Sequence, residues 1–217
     1  MKTINLGQSN SILNRFVAEL RDKEIQKDSM RFRRNLERIG EIFAYEISKT
    51  LDYSATEVTT PLGIASCSLP DENLLLATIL RAGVPLHNGL LNFFDRAQNA
   101  FVAAYRKYGK DNKFTIQIEY VSSPSVDGKI LIIADTMLAT GSSLVLAYEK
   151  LCEKGEPAHT HIVCPIASEF SLGYLSKHLP HKKVTLWVAA VDEELTNKSY
   201  IVPGIGDAGD LAYGNKL

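Results

Sequence analysis

The sequence predicts an α/β fold with a mainly parallel sheet, and three observations carry that expectation. Apolar runs of strand length recur at Leu74–Leu80, Ile130–Ala134, residues 161–165 and residues 183–190. Segments with helical spacing separate them, at residues 84–94, 144–154 and 170–178. The run Leu74–Leu80 is nearly continuously apolar rather than alternating, as a strand covered on both faces requires. Alternation of this kind builds βαβ units, whose ligand crevice lies beyond the carboxyl ends of the strands.

Each element follows from its own pattern. Residues 11–51 read as helical, with Ile12, Phe16, Leu20 and Ile25, then Leu36, Ile39, Phe43 and Ile47, on the apolar side, and Arg31, Arg33, Arg34 and Arg38 on the remaining surface. A solvated helix face or a subunit contact is the preferred reading of these arginines over a phosphate patch. Residues 50–70 change character, predicting short strands around the Thr60-Pro61-Leu62-Gly63 turn. Residues 101–105 and the alternating Phe114, Ile116, Ile118 and Tyr120 predict a hairpin that can cover a strand end. The terminal segment packs Gly204, Gly206, Gly209 and Gly214 beside Ile201, Val202 and Ile205, so unusual backbone bends or a close ligand approach are expected there.

Bulk properties bound the function classes. A chain of 217 residues is expected to form one domain over 1–217, with an N-terminal helical region and a C-terminal hood segment. Lys and Arg number 24 against 25 Asp and Glu, so no global field favours nucleic acid or an anionic membrane, and nucleic-acid binding is not expected. The three cysteines, Cys67, Cys152 and Cys164, form no CxxC pair and read as structural thiols of a reducing compartment. No secretory leader and no membrane-spanning run is expected, which makes cytoplasmic residence the default.

The strongest chemical signal is the strand at 130–134 followed by Asp135, Thr136, Met137, Leu138, Ala139, Thr140, Gly141, Ser142 and Ser143, then an amphipathic helix. A small-residue turn entering a helix exposes backbone N–H groups to an anion, and the hydroxyls of Thr140, Ser142 and Ser143 add donors. Leu138 is suited to support the turn from below. Asp135 is placed to bond ribose hydroxyls or to orient water around magnesium. Arg81 and Arg106 each follow a strand, and two guanidinium groups converging from adjacent strand ends suit a diphosphate. The five histidines, His87, His159, His161, His178 and His181, form no catalytic group and read as local packing and bonding. Positioning and charge stabilisation therefore fit better than covalent catalysis.

Taken together, Thr60-Pro61-Leu62-Gly63, Ile79-Leu80-Arg81-Ala82-Gly83, Tyr105-Arg106, Asp135 through Ser143, and the terminal Y-I-V-P-G-I-G-D-A-G-D resemble the uracil phosphoribosyltransferase family. The resemblance implies a type I phosphoribosyltransferase fold: a mainly parallel sheet flanked by helices, with a small hood. It implies transfer of the phosphoribosyl group of 5-phosphoribosyl 1-diphosphate to uracil, giving uridine monophosphate and diphosphate with Mg2+ as cofactor. In that reading the loop from Asp135 to Ser143 holds ribose and its 5-phosphate, Arg81 and Arg106 contact diphosphate, and Asp207 positions the sugar diphosphate. Ile201, Gly206, Asp207 and Ala208 line the uracil site, while Asp135 and Asp207 reach the metal through water. A homodimer or tetramer and a GTP effector are also implied.

Two loop residues and a later segment depart from the family pattern. Thr136 stands where proline commonly follows the aspartate, Ser142 replaces a glycine, and Ala167-Ser168-Glu169-Phe170 lacks a proline and a glycine often found there. Lys107-Tyr108-Gly109-Lys110 and Leu211-Ala212-Tyr213 also differ from the usual residues. The alternatives are a non-catalytic nucleotide or phosphoribosyl-diphosphate sensor, or a phosphoribosyltransferase using another base.

Overall fold

The computed structural model describes residues 1–71, 73–108 and 114–215, with backbone alone for 105–108 and 114–116. Among these residues twelve strands form, β1 (Lys2–Asn5), β2 (Tyr53–Thr60), β3 (Gly63–Pro70), β4 (Leu74–Leu80), β5 (Gln98–Tyr108), β6 (Phe114–Ser122), β7 (Ile130–Ala134), β8 (Met137–Leu138), β9 (His159–Ser168), β10 (Val184–Asp192), β11 (Glu194–Leu195) and β12 (Ile201–Val202). Helices α1 (Ile12–Arg21), α2 (Ser29–Ser48), α3 (Val84–Leu91), α4 (Ser142–Cys152), α5 (Glu169–His178) and α6 (Ala208–Tyr213) complete the fold.

The central sheet has eight strands in the order β1-β10-β9-β7-β4-β5-β6, with β8 also paired to β9. All its pairings are parallel except β5 with β6, as expected where helices carry the chain back across the sheet. Successive residues of β4 feed opposite faces. Leu74 and Leu76 join one core with α1, α2, α3 and α6, while Leu75, Ala77 and Ile79 join a second with α4 and α5. That double burial is the physical reason β4 reads as a nearly continuous apolar run.

Several boundaries differ from the sequence expectation. Ile12 is 58% exposed and Ile25 38%, whereas Leu13, Val17 and Leu20 carry the buried stripe of α1. Ser11 caps the helix by accepting from Leu13 N–H, so Ile12 is its first residue. The four-residue β1, not expected from sequence, adds an edge beside β10, and α6 forms where a glycine-rich loop was expected. Residues 50–70 make a longer hairpin than expected, β2 pairing with β3 from Tyr53↔Pro70 to Thr60↔Gly63. Its tip is open to solvent, with Leu62 99% exposed.

The early arginines are used within the fold. Arg31 binds Glu19 at 3.0 Å, Arg33 donates to the Ala212 carbonyl at 2.6 Å, Arg34 pairs with Glu37 at 2.8 Å, and Arg38 donates to Asn35 at 3.1 Å. Such pairing accounts for this helix face without a phosphate ligand. The covering loop expected near 109–113 lies outside the described residues.

Candidate active site

Strands β4, β7 and β9 end together at one edge of the sheet, and a cavity of about 800 Å³ opens there. Leu80 and Arg81 form one wall, Met137, Ala139 and Ser143 another, and Tyr200, Ile201, Gly206 and Asp207 a third. Ala103 and Ala104 of β5 and Glu119 of β6 close the remaining side. This is the crevice that the parallel order dictates.

The anion side is built locally. After Ala134 the chain leaves the sheet, forms the short β8 against Ile166 and Ala167, and enters α4 through Gly141. Gly141 has φ 79°, a left-handed conformation that glycine adopts without a Cβ penalty. Lacking a side chain, it gives α4 no side-chain cap, which leaves N–H groups of the first turn available to an anion. Thr140 Oγ1 and Ser142 Oγ lie 2.7 Å apart and brace the turn. From beneath, Ser168 Oγ donates to the Ala139 carbonyl at 2.5 Å while accepting from Ser171 N–H at 2.9 Å.

Asp135 sits at the strand end, partly buried, and accepts from Thr136 N–H at 2.8 Å. Burial pushes its carboxyl up to about 7, against the Thr136 and Met137 N–H groups that favour the anion. Thr136 thus supplies an N–H that proline lacks. Ser142 and Ser168, at two other departures from the family pattern, likewise form hydrogen bonds in or under the loop.

The base side is assembled from distant segments. Gly204 and Gly206 have φ 57° and 80°, and a Cβ at Gly204 would collide with the Ile201 carbonyl. Asp192, at the end of β10, accepts from Gly204 N–H at 2.9 Å and pairs with both Arg21 Nη atoms at 2.9 and 2.7 Å. Arg21 also donates to the Gly204 carbonyl at 3.1 Å. Downstream, Asp207 caps α6 by accepting from Asp210 N–H at 3.0 Å.

The structure therefore brings Arg81, Met137, Ala139, Ser143, Ile201, Gly206 and Asp207 around one cavity. Thr136 and Leu138, each 1% exposed, and Ala208, fully buried, turn their side chains into the protein. Any ligand contact by these three runs through backbone. Thr140, Gly141 and Ser142 shape the turn beside the wall. Arg106 lies on β5, three residues past the Leu80↔Ala103 pairing, and its side chain is outside the described residues. Arg21, Asp192 and Ser168 were missed from sequence, because no local motif marks a residue whose partner is far along the chain.

None of the five histidines lines this cavity. His87 bonds Asn99 at 2.7 Å, and His161 accepts from Trp187 Nε1 at 3.0 Å, in keeping with the packing roles expected of them. For the metal, no cluster of three or more His, Cys, Asp or Glu able to hold an ion occurs among the described residues.

Comparison with known proteins decides the family. The uracil phosphoribosyltransferase profile matches residues 8–215. The chain belongs to the uracil phosphoribosyltransferase family. A uracil phosphoribosyltransferase of Porphyromonas gingivalis is 56% identical over 217 residues, covering all of both chains. That of Pyrococcus furiosus is 37% identical over 93% of this chain and 85% of its own. A solved structure of an Aquifex aeolicus protein superposes with a TM-score of 0.86 at 29% identity, covering 98% of each chain. The family resemblance read from motifs thus extends across nearly the whole molecule.

Proposed function

We propose that this chain transfers the phosphoribosyl group of 5-phosphoribosyl 1-diphosphate to uracil, releasing uridine monophosphate and diphosphate. The observation that carries the reading is the shared cavity: an uncapped helix start, Arg81 and a glycine-bent terminal segment all border it. Full-length similarity to named uracil phosphoribosyltransferases supports it.

The residues divide the work by chemistry. The α4 N-terminus with Ser143 binds the 5-phosphate, and Asp135 accepts from the ribose hydroxyls. Those hydrogen bonds favour the carboxylate and offset its burial. Arg81, with Arg106 from the next strand, binds the departing diphosphate, whose charge rises as the bond to the anomeric carbon breaks. Uracil offers fixed N–H and carbonyl groups to the backbone of Ile201, Gly206, Asp207 and Ala208, a rigid edge that discriminates without a charged side chain.

Magnesium fits this donor set only as a partly hydrated ion. With Asp135 and Asp207 as separate carboxylates, the diphosphate and water must supply most oxygens, as is usual for Mg2+. When bound, the ion would neutralise diphosphate charge.

Self-association and cytoplasmic residence belong to the same reading. The β2–β3 hairpin, with Ile64 71% exposed near its tip, supports contact with another copy. No helix among the described residues is long and apolar enough to cross a membrane. The deciding experiment supplies purified protein with Mg2+, 5-phosphoribosyl 1-diphosphate and separate bases. Uridine monophosphate from uracil alone is expected; product from another base would reject the assigned acceptor, and no product from folded protein would reject the activity. Repeating the assay with GTP tests the effector by a change in rate.

A further inference from the structure

Arg81 is not free in this structure. Its Nη2 donates to Asp210 Oδ1 at 3.1 Å and to the Gly214 carbonyl at 3.2 Å, both from the terminal segment. Nη2 carries two N–H groups, and these two acceptors match that number. Either guanidinium fork that grips an anion bidentately, end-on through both Nη atoms or side-on through Nε and Nη2, uses an Nη2 hydrogen. Nε is buried without a hydrogen-bond partner. A Cβ at Gly209 would stand 3.8 Å from Nη2 and 3.3 Å from Asp207 Oδ1, so the guanidinium packs closely on the start of α6.

We propose that Asp210 is a positioning residue that latches Arg81 to the base-side segment and must release it when diphosphate binds. The inference rests on the reading of Arg81 as a diphosphate ligand. Arg81 and Asp210 side chains are 39% and 31% exposed, so solvent screens the pair and an incoming polyanion can displace it. Asp210 follows Asp207 by one turn of α6, and Asp207 lines the cavity beside Gly206. Release at Arg81 therefore alters the support of the segment assigned to uracil. Diphosphate binding and base-site geometry are coupled through one side-chain exchange.

The test is calorimetric titration of inorganic diphosphate into the full chain at constant ionic strength, for wild type, Asp210→Asn, Arg81→Ala and the double variant. Asparagine keeps the backbone N–H that Asp207 accepts and nearly the same shape, while removing the competing charge. Asp210→Asn is expected to bind diphosphate roughly two- to fivefold more tightly, the release of one screened ion pair. That gain should vanish in the Arg81→Ala background. Unchanged or weaker binding by Asp210→Asn overturns the latch, as does an equal gain with Arg81 absent, which indicates general charge relief. Should Arg81→Ala bind diphosphate as wild type does, the assignment of Arg81 itself fails, and the latch with it. Circular dichroism of each variant identifies a folding defect, and Asp210→Ser provides a second neutral replacement in that event.

Discussion

The anion side and the base side of the cavity are held by different means. The turn from Asp135 to Ser143 is held mainly by neighbours, Thr136 N–H on Asp135 and Thr140 on Ser142, with the neutral Ser168 hydroxyl from farther along the chain under Ala139. The segment from Tyr200 to Gly214 is tied by long-range cations instead, Arg21 through Asp192 and Gly204, Arg33 on Ala212, and Arg81 on Asp210. A phosphate needs clustered donors, which one turn supplies. A base edge needs a shaped backbone, and a glycine-rich segment keeps a shape only if other elements grip it.

The two sides also differ in what their acids do to stability. Asp192, 6% exposed, is fully engaged by Arg21 and Gly204 N–H. Asp135 has few partners for its burial, and its charged form opposes folding. One acid stabilises the fold and the other is retained for chemistry.

The largest expected effect is at the clamp. Asp192→Ala strands Arg21 and a buried N–H, and should cost about 3 kcal/mol in denaturant unfolding, with a raised KM for uracil. An unchanged unfolding midpoint would show that the clamp does not hold the segment.

Asp135→Asn should act in the opposite direction. The folded carboxyl at about 7 lies above its unfolded value of 3.8, so this group's contribution is fully present below pH 4 and is lost as pH rises through 7. The variant should therefore gain about 1–2 kcal/mol over wild type at pH 8, discounted for partial exposure, with no gain at pH 4. Its activity should fall. Parallel stability curves from pH 4 to 8 would contradict the burial account.

Glu19 provides a pH control outside both regions. Arg31 first, then Asn35, hold its carboxyl down at about 2, below its ordinary 4.5, so its stabilisation is present above pH 4.5 and lost as pH falls toward 2. Glu19→Gln should cost about 1–2 kcal/mol at pH 7, converging with wild type near pH 2 and leaving KM values unchanged.

Ser168→Ala has the smallest expected effect. Removing the cap of α5 and the bond to Ala139 should cost about 1 kcal/mol, and KM for 5-phosphoribosyl 1-diphosphate should rise while KM for uracil stays fixed. Threonine, which retains the hydroxyl, should restore much of the loss.

The same contrast explains what the sequence disclosed. The cradle was legible because strand, acid, small turn and helix are contiguous, and the mainly parallel sheet followed from strand-length apolar runs alternating with helical segments. The terminal glycines were legible as a bent segment, but α6 was not, since Ala208–Tyr213 is short and contains Gly209. Nothing local in Arg21 or Asp192 indicates that they meet 171 positions apart. Edge strand β1 escaped notice because four residues with an exposed first half carry no periodic signal.

The central claim is that one cavity joins a locally built phosphoribosyl site to a clamped uracil site. Initial rates of uridine monophosphate formation, with both substrates varied in wild type, Ser168→Ala and Asp192→Ala, test it most directly. The account predicts turnover by wild type, a KM defect for 5-phosphoribosyl 1-diphosphate in the first variant, and one for uracil in the second. Absence of uridine monophosphate from folded wild type, or identical KM changes for both substrates in both variants, would contradict it.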